Sequence, residues 1–255
     1  MVFSMCFAAS FAQPCDRRAV YLSTEFGAGL GLYRDMGSSP LTYRGQELSP
    51  RIGVRVERPE WRIQADMGVC GGGYGYRYVK RMHTYGGQAS VAFRVLYSVL
   101  TGGTWRLWAG GAVEDRADIR YNRALGNASV GISNFVDMNL VGRLEKGVGR
   151  WRLHGQVELS PLSLLLRPGF SYMDNYDRDI GNPVANTFDQ YHWYIAGGTL
   201  AATDIGATLL LGSGNRIGVA YRWHYLTSRT AVSESAPYRF EQAGHAFVVS
   251  LDFRL

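Results

Sequence analysis

The chain has 255 residues, 46% hydrophobic and 13% aromatic, with 32 Gly and a mean hydropathy of −0.13. No run of 18 or more apolar residues occurs, which excludes a membrane-spanning helix, and no amphipathic helical stripe persists as it would in an ordinary α/β domain. The net charge of +6 and pI of about 9.3 rest on arginine, Lys80 and Lys146 being the only lysines; no nucleic-acid motif accompanies them, so no nucleic-acid partner is expected.

Met1 to Ala12 is uncharged and mostly apolar or small, and Ser10-Phe11-Ala12 places small residues three and one before a cut ahead of Gln13. Residues 1–12 read as a secretory signal peptide and 13–255 as a single domain; a buried N-terminal strand is the alternative. Export puts Cys15 and Cys70 where disulfides are permitted. Cys70 nevertheless lies nine residues beyond Trp61, roughly 30 Å along a strand at about 3.3 Å per residue, too far from a Cys15 that precedes the first strand. Two free thiols are expected.

Three tripeptides recur at almost even spacing: Trp61-Arg62-Ile63, Trp105-Arg106-Leu107 and Trp151-Arg152-Leu153. The steps are 44 residues (105 minus 61) and 46 residues (151 minus 105). Each follows a short turn-like segment and opens a run of alternating apolar and polar or small residues. A hairpin of two membrane-crossing strands with its turn and loop uses roughly 45 residues, and a Trp at the same end of every second strand reads as an interfacial girdle. β-Propeller blades repeat at a similar length with four short strands, but the unbroken alternation from Trp61 to Cys70 and from Trp105 to Glu114 fits two long strands better. The fold class predicted is all-β: a closed antiparallel up-and-down transmembrane barrel in the bacterial outer membrane. A soluble secreted β-barrel binding protein is the alternative.

Short turns fall around 58–60, 101–104, 146–149 and 212–215, and longer polar stretches around 34–49, 78–87, 115–129, 174–190 and 229–242. Turns on the periplasmic side and loops outside are the asymmetry of bacterial barrels, and the count is about ten strands. One interval is long: Leu153 to Ile217 spans 64 residues (217 minus 153). The excess lies within 160–200, as an enlarged loop or as an extra hairpin that would make twelve strands. Alternation fails from Pro161 to Pro168. Asn175, Asp177 and Asp179 alternate in this region without completing an EF-hand, Ile180 taking the glycine position. No metal site and no cofactor are expected.

Ser160-Pro161-Leu162, Pro168-Gly169-Phe170-Ser171-Tyr172, His192 and Arg216-Ile217-Gly218-Val219-Ala220-Tyr221-Arg222 together resemble uncharacterised outer-membrane β-barrel proteins of the Bacteroides group, over about residues 156–222. The resemblance implies location and fold and carries over no functional residue. In the last strand Phe247, Val249, Leu251, Phe253 and Leu255 alternate with Ala246, Val248, Ser250, Asp252 and Arg254. Phe253 and Leu255 thus resemble the C-terminal signal read by the barrel-assembly machinery, expected as a partner during insertion; outer-membrane lipids and lipopolysaccharide are the other expected partners.

If Trp, Ile, Val and Leu face lipid, the opposite faces collect Glu25, Arg55, Asp66, Arg94, Glu114 and Asp137. They also collect Arg143, His154, Glu158, Asp204, Arg222, Asp252 and Arg254. A barrel of about ten strands is too narrow for a porin channel, so these charges must pair in a confined space. That predicts an occluded lumen and a non-catalytic structural, adhesion, assembly or small-solute role. The enzymatic alternative is a surface hydrolase. Ten-stranded omptin-like proteases carry an acidic pair facing an Asp-x-His pair at the outer mouth; the nearest features are Asp115 with Asp118 and Asp189 with His192, and the second pair, one residue too far apart, does not match. Lipid-modifying barrels use His with Ser or Glu, which makes His154 and Glu158 the other candidates.

Overall fold

Alternating sequences that hide one face and expose the other form hairpins, and here the hairpins follow one another without interruption. The computed structural model describes residues 18–35, 39–122, 130–168, 191–196, 199–230 and 238–255. Its strands are β1 (Ala19–Asp35), β2 (Ser39–Glu57), β3 (Trp61–Tyr76), β4 (Val79–Gly102), β5 (Trp105–Tyr121) and β6 (Val130–Val148). They continue as β7 (Trp151–Pro168), β8 (Tyr191–Ala196), β9 (Leu200–Leu210), β10 (Arg216–Thr230) and β11 (Tyr238–Arg254).

Neighbouring strands are antiparallel, and pairing of β1 with β11 together with β6 with β7 closes the ring. β8 runs along Ser163–Pro168 of β7 and β9 along Trp151–Leu159 of the same strand. They are two pieces of one stave, so the barrel has ten. The excess between Leu153 and Ile217 therefore adds no hairpin to the wall; residues 169–190 lie outside those described.

Two sequence expectations need correction. Pro161–Pro168 is strand, and its broken alternation is a β-bulge: Leu140 faces Leu159 and Met138 faces Leu162, leaving Ser160 and Pro161 opposite Asn139. A bulge shifts the inward parity by one residue and tolerates a proline, which has no N–H to contribute to a ladder. Most of four polar stretches read as loops is also strand, covering 39–49, 79–87, 115–121 and 238–242. Strands of 15 to 24 residues, as β10 and β4 illustrate, exceed the roughly 9–11 needed to cross a bilayer. The wall therefore projects beyond the membrane, where on β2 and β11 the outer face is polar too, as Thr42, Arg44, Gln46, Arg239 and Glu241 show, and the alternation weakens.

Following the register once around the ring, from Tyr21 through Arg55, Gln64, Arg94, Ala112, Asn139, the bulge at Ser160, Leu200, Leu226 and Gln242, leads back to Tyr33 on the same strand. The stagger is twelve residues (33 minus 21). About 40 Å of climb against about 48 Å across ten strands gives a tilt of about 40°.

The outer surface is apolar where Phe26, Met67, Phe93, Leu140, Ile205 and Phe247 stand 50% exposed or more. On β1 this band runs from Leu22 to Leu32 before Arg34 ends it; ten residues at that tilt span about 25 Å, the height of a barrel's lipid-facing belt. An apolar exterior around a charged interior inverts the arrangement of a soluble protein. It places this barrel in a bacterial outer membrane and rules out the soluble secreted alternative. Trp61, Trp105 and Trp151 open β3, β5 and β7 at the end where the short turns and both outermost strand ends lie, which is the periplasmic end of such barrels. Phe253 and Leu255 are exposed on the outer face at that same end.

Candidate functional site

The lumen is filled in three tiers. At the periplasmic end Glu57 on β2 receives Arg55 at 3.0 Å, Arg62 at 3.2 Å, Arg216 at 2.8 Å and Arg152 at 3.8 Å. Arg62 crosses the bore to Glu145 at 3.0 Å and lies 4.7 Å above the ring of Trp108, whose Nε1 donates to the same carboxylate at 3.2 Å. Arg216 covers Tyr21 at 3.9 Å and donates to its hydroxyl at 2.6 Å.

In the middle tier most carboxylates again meet a donor. Asp66 accepts from Arg51 at 2.8 Å and Arg94 at 2.6 Å. Asp252 is held by Ser23 at 2.7 Å and by Arg55. Arg222 bridges Glu25 and Asp204, both at 3.0 Å, and Arg143 donates to Glu145 at 2.8 Å and Gln156 at 3.1 Å. Asp137 is fully buried and accepts from Arg116, Ser163 and Thr199 around the β7 bulge. Between these groups remains a cavity of about 220 Å³, bordered by Arg51, Arg94, Glu114, Glu158, Arg222 and His224.

The extracellular tier is aromatic. Tyr33, Tyr43, Tyr74, Phe135, Leu165, Leu200, Leu226 and Phe240 form one buried cluster drawn from eight of the ten staves. Arg120 on β5 lies over Tyr33 at 3.7 Å and is fixed by Asp118 and Gln242. Arg167 lies over Phe240 at 4.8 Å and pairs with Asp35 at 2.7 Å. Asn122 ties Thr84 on β4 to Tyr43. Glu47 accepts from Tyr74, and Gly31 makes room for it, since a Cβ there would stand 2.1 Å from a Glu47 carboxylate oxygen.

Among the described candidate catalytic side chains, each has a partner of its own. His154 Nε2 lies 2.8 Å from Asp204, while Glu158 accepts from Asn139 at 2.6 Å and faces Arg94 at 3.5 Å. Asp115 and Asp118 point to opposite sides of the wall: Asp115 is exposed outside and meets Asn134, Asp118 is buried inside. His192 stands opposite Arg167 in the register; Asp189 and the Asn175, Asp177 and Asp179 run lie outside the described residues. Among the described residues no group of three His, Cys, Asp or Glu is disposed to hold a metal ion. Cys70 is a free thiol facing the lumen, and Cys15 is outside the described residues.

Of the charges assigned to the lumen, Arg254 differs: it stands opposite Tyr21 at the last position of the β1–β11 ladder, exposed at the periplasmic rim, and makes no ion pair among the described residues. Glu114 is buried opposite Asp137 in the register. Sequence reading missed Glu57, Arg62, Glu145 and Arg216, which share the inward parity of their strands and were detectable by it, and Arg116, Arg120 and Arg167, which lie in a stretch read as a loop or beyond the β7 bulge. In all, twelve arginines face twelve carboxylates at buried or half-buried inward positions of the described strands.

No protein-family model matches the sequence, and no curated protein matches it. Among solved structures the chain is similar to the outer membrane protease OmpT from Escherichia coli, with a TM-score of 0.53 and 8% identity, over 93% of this chain and 96% of that one. The translocator domain of the autotransporter NalP from Neisseria meningitidis gives 0.49 and 10% identity, over 93% and 88% of the two chains. Neisserial surface protein A gives 0.38 and 11%, over 91% and 97%. The likeness to the protease is one of fold: a closed antiparallel outer-membrane barrel.

Proposed function

We propose that this chain is a non-conducting outer-membrane barrel that serves a structural or adhesion role through its surfaces, with no solute path and no catalytic centre in its lumen. The aromatic tier carries this reading. Its residues reach across the bore from eight staves and rest on two layers of ion-paired side chains, and a ten-stranded ring leaves little room beside them. The protease likeness does not extend to chemistry, because Asp115 and Asp118 lie on opposite faces of β5. Partners on this reading are outer-membrane lipids, lipopolysaccharide and, during insertion, the barrel-assembly machinery.

Planar-bilayer recording of the folded protein is the test. Brief, irregular events without a stable open level are expected. A large steady conductance overturns the occluded lumen, and turnover of peptides or lipid A that disappears on changing His154 or His192 overturns the non-catalytic role.

A further inference from the structure

Among the described residues the lumen is electrically balanced, so their surplus of positive charge belongs to the rims and outer surface. Part of it is concentrated at the periplasmic end. Arg18, Arg58, Arg150 and Arg254 are exposed there, and Lys146 is half-buried on the outer face of β6. Among the described residues none of the five pairs with a carboxylate, and Glu60 is the only acidic residue in the four turns at this end. In the lumen, by contrast, most guanidinium groups meet a carboxylate.

Two of these cations are tied to the tryptophans. The Arg58 guanidinium lies 5.1 Å from the centre of the Trp61 ring, and the Lys146 ammonium 4.5 Å from that of Trp105. Arg150 is exposed and donates its Nε to the carbonyl of Leu210 at 3.2 Å. Arg18 precedes Ala19, which pairs with Glu57, so Arg18 and Arg58 are neighbours. Tryptophan rings on a lipid-facing surface settle at the boundary between acyl chains and headgroups. A cation stacked on such a ring is held at the height of the lipid phosphates, one face on the π-system and its N–H groups free to donate.

We propose that the periplasmic rim is a binding collar for anionic phospholipid headgroups of the inner leaflet, with Arg58 on Trp61 and Lys146 on Trp105 as two phosphate-recognising positions. The occupant is a phospholipid of net negative charge, since unpaired cations without carboxylates discriminate against zwitterionic headgroups, whose own ammonium they repel.

The full chain folded into phosphatidylcholine vesicles supplies its own reporters, because Trp61 and Trp105 are quenched by brominated lipid beside them. Brominated phosphatidylglycerol should compete with brominated phosphatidylcholine of the same acyl composition with a preference on the order of tenfold, declining with added salt. R58Q/K146Q, checked for folding by heat-modifiable migration, should bring the ratio close to one, while R34Q/R44Q at the opposite end should leave it unchanged. A ratio near one in the parent protein, an undiminished ratio in R58Q/K146Q, or its loss in R34Q/R44Q each overturns the proposal.

Discussion

The Arg120 guanidinium lies 3.7 Å from the centre of the Tyr33 ring, and Asp118 holds it there through hydrogen bonds of 2.8 and 2.7 Å. Asp118 is 2% exposed and Arg120 5%. Removing one member of such a pair strands the other charge in a poorly solvated place. R120M should therefore destabilise the barrel by about 3–5 kcal/mol, whereas D118N/R120M, which removes both charges, should recover most of that loss. Urea unfolding in detergent, followed by tryptophan fluorescence, measures both. A double variant no more stable than R120M would show that stacking on Tyr33, and not the charge pair, holds the tier together.

Cys70 reports on the lumen from within. It faces inward on β3 beside the middle cavity. In a chain with Cys6 and Cys15 changed to Ser, a polyethylene-glycol maleimide should leave the folded barrel unmodified and react after unfolding in urea. A gel shift reads the result, and rapid labelling of the folded protein would contradict an occluded bore.

The lipid-facing belt predicts a depth profile. Phe26, 53% exposed and paired with Val249 near the middle of the belt, should cost about 2–4 kcal/mol when changed to Arg. Phe253 at the rim should cost about 0–1 kcal/mol for the same change. Equal costs in refolded protein would mean that the two positions do not differ in membrane depth.

Insertion in cells should rank these positions differently. Phe253→Arg, or deletion of Phe253 to Leu255, should lower the amount inserted far more than it lowers stability in detergent, if the insertion machinery reads the terminal strand. Quantifying heat-modifiable protein in outer-membrane fractions beside the refolding measurement decides it; parallel losses would make this strand a packing element alone.

The belt was legible because a strand buried against lipid on one face must alternate, and Trp61, Trp105 and Trp151 fix the phase. Most of the parts that were not legible share one cause. Tyr33, Tyr43, Tyr74 and Phe240 sit above the membrane, where water bathes the outer face and polar residues occur on both sides of the strand. Such stretches look like loops, and the aromatic tier they build is invisible until the twelve-residue stagger brings distant strands level. The Ser160–Pro161 bulge, a separate cause, hid the second half of β7 by reversing its phase midway. Inward parity alone would have found Glu57, Arg62 and Arg216; choosing their partners required the tilt.

The ladder between β1 and β11 joins Tyr21 to Arg254, 233 residues apart (254 minus 21). Every other neighbouring pair is formed within a local hairpin or a modest detour, so this junction carries the largest loop-closure cost and is the slowest to find. Until it zips, β1 and β11 each offer a bare row of N–H and C=O groups, a template open to the matching edge of another molecule. Ring closure is thus a race between meeting one's own far end and meeting a stranger's, and dilution favours the first.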